Sequence, residues 1–177
     1  MNQSALKPNI LKYGLTGGLI MSLIYLIGTI TGLSSSGSKS FGAISGLVSL
    51  GVVIALVILA IKAQRDESQG GFISLGQCVL LGIGILIITG LISFVVSMIY
   101  IKVIDPGYMD RFMASMEEQW EAQGLDEDKI EQAKKWTGMM KSPFLSLAAV
   151  LGCYGVGGAI LSLIIGLIMR KDEPEFT

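Results

Sequence analysis

Histidine is missing from this chain altogether, and cysteine occurs only at Cys78 and Cys153, both inside apolar stretches. A structural zinc site or a haem needs more ligands than two distant thiols supply. No CxxC spacing suggests redox chemistry, so the cysteines read as small apolar fillers, with a disulfide between their stretches as the lesser alternative. Charge is scarce too: 13 basic and 14 acidic residues make up 15% of the 177, against roughly 25% in a soluble domain. With a net charge of −1 and no basic run, nothing here suits nucleic acid. No cofactor is expected.

What the chain has instead is apolar length. Apolar residues make up 51% and the mean hydropathy is +0.66, which places it among membrane proteins. Four runs reach the roughly 20 residues that a helix needs to cross a bilayer core, and they occupy about 13–33, 41–61, 72–101 and 144–169. The first follows a short polar leader holding Lys7 and Lys12 and reads as an uncleaved span. A Ser/Gly turn, 34–40, and a polar connector, 62–71, join the first three runs. The third, at about 30 residues, is long enough to require tilt or an interfacial first turn over 72–77. The expectation is an all-α polytopic membrane protein of one domain, 1–177, bathed in the lipid bilayer.

Orientation follows weakly from charge. The termini and the 62–71 connector carry six Lys/Arg, and the opposite face carries seven, six of them diluted in a 42-residue loop. Density favours termini on the cytoplasmic side.

The spans hold no Asp, Glu, Lys or Arg from Ser40 to Ile61, from Ser68 to Ile101 or from Ser142 to Met169. Intramembrane charge is the usual mark of ion paths, proton relays and catalysis, so a proton-coupled transporter and an intramembrane protease are disfavoured. Weakly polar residues remain, among them Thr89, Ser93 and Ser97, four apart on one face of the third span. Small residues also recur four apart: Gly14, Gly18 and Ser22; Gly28 and Gly32; Gly42 and Gly46; Gly158, Ser162 and Gly166. Such faces let helix backbones approach closely, within one bundle or, as a second reading, with another membrane protein or a second copy.

Residues 102–143 are the one long stretch that water favours, with nine of the fourteen acidic residues. Met109, Phe112, Met113, Met116 and Trp120 form one apolar stripe at helical spacing, Gly124 ends that helix, and Asp126 caps a second carrying Ile130, Ala133, Trp136 and Met140. This helical hairpin, 107–141, packs on the bundle end or the bilayer interface, or else presents Met109, Phe112, Met113, Met116, Trp120 and Trp136 to a partner. A divalent-cation site from Asp126, Glu127, Asp128 and Glu131 ranks last, because the run lacks the EF-hand pattern.

The segment Lys62-Ala-Gln-Arg65-Asp-Glu, followed by Gly70-Gly71-Phe72-Ile73-Ser74-Leu-Gly76-Gln77, a span ending Tyr100-Ile101 and a loop opening Asp105-Pro106, resembles the DUF4199 family of small four-helix membrane proteins of Bacteroidetes. The resemblance implies an inner-membrane protein and brings no catalytic residues. Read from the residues alone, Arg65 at the interface pairs with a neighbouring carboxylate or reaches lipid phosphate.

The leading expectation is a non-catalytic protein acting through another membrane protein, with the hairpin as docking element. The alternative is a lipid or small-molecule carrier or channel whose path is lined by Thr89, Ser93 and Ser97. A membrane enzyme using Asp105 and Asp110 comes third.

Overall fold

The computed structural model describes residues 6–34, 39–68, 70–139 and 142–171. Six α-helices follow one another: α1 Leu6–Ile30, α2 Lys39–Ala63, α3 Leu75–Ile99, α4 Tyr108–Ala122, α5 Glu127–Met139 and α6 Pro143–Met169. Four of them carry windows long and apolar enough to cross a membrane, at Leu6–Ile30, Ser40–Glu67, Leu75–Ile104 and Pro143–Met169. A helix of 25 residues extends about 37 Å, enough for a hydrocarbon core of about 30 Å. The outward rows agree: Leu11, Leu15, Leu19, Leu23 and Ile27 of α1 are all at least half exposed, a stripe that lipid covers and water would not.

Helix α3 is the central post. Its buried face, Cys78, Leu81, Ile85, Leu86 and Thr89, is sandwiched between α1 and α6. Helix α2 joins that core through Val53, Leu56, Val57, Ala60 and Ile61 in its second half. Its first half, from Phe41 to Leu50, has no buried residue.

The span edges differ from the sequence expectation for identifiable reasons. Helix α1 starts at Leu6, not near Tyr13, since Pro8 falls in the first turn, where a missing N–H is harmless, and Asn9 Nδ2 donates to Gln64 Oε1 at 2.8 Å. It stops at Ile30, so Gly32, with φ +71°, lies in the turn and not on a helix face with Gly28. Helix α2 runs on through a π-turn, Gln64–Ser68. Phe72 to Ser74 stay outside α3 because Gly70 and Gly71 take positive φ, 62° and 98°, and Ile73 exchanges two backbone hydrogen bonds with Lys171, at 2.9 and 3.1 Å. The α3 start is fixed by Gln77, whose side chain accepts from the Ser74 N–H at 3.0 Å. At its far end α3 widens into a second π-turn, Tyr100–Ile104.

The polar stretch is a helical hairpin. Gly124, at φ +71°, ends α4: its N–H donates to the Glu121 carbonyl at 2.9 Å and the Leu125 N–H to the Trp120 carbonyl at 3.2 Å, a Schellman cap. The Asp126 carbonyl then accepts the first bonds of α5. Lys134 reaches back from α5 to Glu117 on α4.

Candidate functional site

The first half of α2 rests on α1 through Phe41, whose ring lies against Gly28, and beyond that contact a cavity of about 460 Å³ opens between α1, α2, α3 and α6. Gly42 and Gly46 lie on its wall, and a Cβ at either would meet nothing within 4 Å. Their spacing is therefore not used for helix contact here. Hydroxyls dominate the polar lining: Tyr25 on α1, Ser45 and Ser49 on α2, Ser93 and Ser97 on α3, and Tyr154 on α6, with Ser34 after α1. Phe41 and Phe94 provide ring faces, and among the described residues no Asp, Glu, Lys or Arg lines the cavity.

Several of these hydroxyls are already occupied. Ser45 Oγ donates to the Gly42 carbonyl at 3.2 Å and Ser97 Oγ to the Phe94 carbonyl at 2.8 Å, the usual helical back-bond. One is not: Tyr25 Oη is buried and has no hydrogen-bond partner among the described residues, while Ser93 Oγ stands beside the Tyr154 hydroxyl. Thr89, expected beside Ser93 and Ser97 on one path, is 1% exposed and donates to the Gly14 carbonyl at 3.2 Å. It belongs to the α1–α3 contact and not to the cavity, because its face of α3 meets the glycine side of α1.

Tyr25, on the cavity wall, also belongs to a cluster of aromatic rings. Tyr25 meets Tyr100 and Tyr108 edge-on at 6.0 and 6.5 Å between centroids, Tyr100 and Tyr108 lie 5.7 Å apart, and Phe112 stacks on Tyr108 at 6.2 Å. Tyr108 is the first residue of α4, so the hairpin hangs from this cluster. Burial pushes the Tyr108 phenol above its ordinary pKa, aided by Tyr100 and opposed by Arg111. Arg111 also pairs with Asp105 at the end of α3, a second tie between hairpin and bundle. That pairing gives Asp105 a structural partner.

The small residues gather along α3. A Cβ on Gly14 would sit 2.8 Å from Ile88 Cβ, one on Gly18 would sit 2.6 Å from Ile92 Cβ, and one on Gly166 would sit 2.8 Å from Cys78 Cβ. One on Gly158 would meet backbone, the Gly82 carbonyl at 3.0 Å and Ile83 Cα at 3.1 Å. Ser162 is fully buried and donates to the Gly158 carbonyl. Sequence reasoning passed over Gly17, Gly82 and Gly90, which are equally tight against Thr89, Ser162 and Tyr154. Gly17 was masked by its neighbours Gly14 and Gly18, and Gly82 and Gly90 stand eight apart, a multiple of the four-residue spacing that identified the others.

Of the hairpin stripe, Met109, Phe112, Met113, Met116 and Trp120 are half-buried, while Trp136 is 66% exposed. Met140 lies outside the described residues. Asp126 pairs with Lys129 at 3.1 Å and Glu131 with Lys135 at 2.8 Å, and no group of three or more acidic or cysteine residues gathers among the described residues. Arg65 Nε holds Asp66 at 2.7 Å and its Nη1 reaches the Met169 carbonyl at 3.4 Å, so the side chain joins α2 to the end of α6. Gln64 beside it is fully buried, with Nε2 unpartnered among the described residues.

A family model described as "Protein of unknown function (DUF4199)" matches residues 12–171. No curated protein and no solved structure matches the chain.

Proposed function

The chain belongs to the DUF4199 family, and from that premise we propose that it is a non-catalytic membrane-embedded carrier. It binds an uncharged amphiphile from the bilayer with a hydrogen-bonding head. The observation that carries this reading is the buried, unpartnered hydroxyl of Tyr25 on the wall of a cavity that also presents the neighbouring hydroxyls of Ser93 and Tyr154. In hydrocarbon no water satisfies such groups, and each costs about 1–3 kcal/mol if left unpaired. A carbonyl or hydroxyl on a ligand recovers that cost. The volume of about 460 Å³ is ordinary for a small-molecule pocket, which spans roughly 300–1,000 Å³. Without acids or amines among the described lining residues, a charged head would enter uncompensated, and general acid–base work lacks a suitable group there.

Gly46→Phe tests the proposal. Gly46 lines the cavity and a Cβ there meets nothing within 4 Å, so the added ring is expected to take up cavity space without displacing a helix. Native mass spectrometry of the protein in mild detergent is expected to show the co-purifying neutral amphiphile reduced at least about tenfold, a loss of some 1.4 kcal/mol in binding, with the melting temperature unchanged. A variant that retains its full ligand load, or a wild type that carries no neutral amphiphile, refutes the carrier.

A second reading is favoured by the exposure of Trp136. In it the hairpin docks on another membrane protein or a second copy, and deleting residues 108–140 should release that partner while the four spans stay inserted. For either reading we propose a bacterial inner membrane, as the family resemblance implies, with the termini in the cytoplasm on the density of Lys and Arg in the short segments. A reporter fused at Thr177 that works only outside would reverse that orientation.

A further inference from the structure

At the opposite end of the bundle from the tyrosine cluster, a recess of about 280 Å³ is lined by Tyr13, Leu59, Lys62, Ala63, Asp66 and Glu67. We propose that it is a headgroup site for a membrane phospholipid bearing both a phosphate and a primary ammonium, that is, phosphatidylethanolamine. This ligand and this place are distinct from the uncharged amphiphile and the cavity above.

The recess lies at the depth of a headgroup. Lys12 and Lys62 stand where the apolar runs of α1 and α2 give way to polar sequence, and Lys12 Nζ lies 5.2 Å from the centre of the Tyr13 ring. Below it, Ala55 and Leu59 leave an exposed apolar track along α2, on which an acyl chain can lie.

The charges are arranged for a dipolar ligand. Lys62 and Glu67 both line the recess, yet neither forms an ion pair with the other or with any described residue. On a regular α-helix two residues five apart point about 140° away from one another. The π-turn Gln64–Ser68 underwinds the helix and swings Glu67 back toward the face that carries Lys62. The result is a cation and an anion facing one pocket with no ion pair between them, while Asp66, held by Arg65, also feels the charges of Lys62 and Lys171. Lys62 suits the phosphate, and Glu67, with Asp66 behind it held by Arg65, suits the ammonium. A purely anionic head meets Lys62 but is repelled by two carboxylates, and a choline head has no N–H to donate to Glu67.

The test is native mass spectrometry of the full chain in mild detergent, titrated with phosphatidylethanolamine, phosphatidylglycerol and phosphatidylcholine of identical acyl chains. The ethanolamine lipid is expected to bind about fivefold more tightly than either competitor, the scale of one charge-assisted hydrogen bond. Lys62→Ala should weaken the ethanolamine and glycerol lipids alike, whereas Glu67→Gln should bring the ethanolamine lipid down to the level of the choline lipid and leave the latter unchanged. Both side chains are exposed, so the fold is expected to survive, with an unchanged melting temperature as the check. Equal binding of the ethanolamine and choline lipids by the wild type, or full preference in both variants, overturns the site. Water-soluble glycerophosphoethanolamine binding as tightly as the lipid itself would overturn the claim that the site takes a membrane lipid.

Discussion

Gly158→Leu combined with Gly166→Leu is expected to separate α6 from α3 and to lower the melting temperature in detergent by about 10 °C, with the protein partly aggregated on size exclusion. At Gly158 the obstacle is backbone: the Gly82 carbonyl and Ile83 Cα stand 3.0 and 3.1 Å from where a Cβ would be, and neither can rotate away. At Gly166 the Cys78 Cβ is 2.8 Å away. Overpacking costs about 1–3 kcal/mol at each site. In lipid the loss is not offset by a hydrophobic drive to re-associate, because the helix contact rests on van der Waals fit itself. The control is Gly152→Leu with Gly157→Leu on the same helix, positions where a Cβ meets nothing within 4 Å. A melting temperature lowered equally by both pairs, or by neither, would show that the α3–α6 contact is not the one that holds the bundle.

Tyr108→Ala is expected to free the hairpin while the four spans stay folded. The ring is 7% exposed and touches Tyr25, Tyr100 and Phe112. Truncating a buried aromatic to Ala costs about 3–5 kcal/mol, and here that cost falls on the docking of α4 to the bundle. A penalty of about 3 kcal/mol raises the undocked population roughly a hundredfold, and proteolysis in the rapid-equilibrium regime rises with it. Limited proteolysis in nanodiscs should therefore cut residues 108–139 far faster in the variant, leaving two protected fragments, α1 to α3 and α6. Tyr108→Phe keeps the rings and should be cut at close to the wild-type rate. Cleavage of Tyr108→Ala at the wild-type rate would mean that the Arg111–Asp105 pair and other contacts hold the hairpin without the ring.

The four spans and the hairpin were legible because their signals are local: uninterrupted apolar length, a Met/Trp stripe at helical spacing, and Gly124 followed by Asp126. The edges were not, since Asn9 and Gln64 look like ordinary polar linker residues until the fold brings them 2.8 Å apart. The cavity was half legible. Ser93 and Ser97 were identifiable from their spacing, but Thr89 shares that spacing and faces α1 instead. Tyr25, Ser45, Ser49 and Tyr154 come from three other helices, and no periodicity within one helix announces a meeting of four. Gly42 and Gly46 fit the close-packing pattern as well as Gly14 and Gly18 do. Which of the two pairs meets a neighbour depends on the tilt of α2, a property of the assembled bundle.

That tilt gives the molecule the mechanics of a pair of tongs. Helix α2 is gripped over Val53 to Gln64, and at the same end the Ile73–Lys171 bridge and Arg65 on the Met169 carbonyl fasten the neighbouring segments together. Ser45 lies eight residues before Val53, about 12 Å beyond the gripped stretch at 1.5 Å per residue. A swing of about 10° around the gripped end thus moves Ser45 by about 2 Å, most of a hydrogen-bond length. The width of the jaws is set at the far end of the lever, where Asn9 holds Gln64.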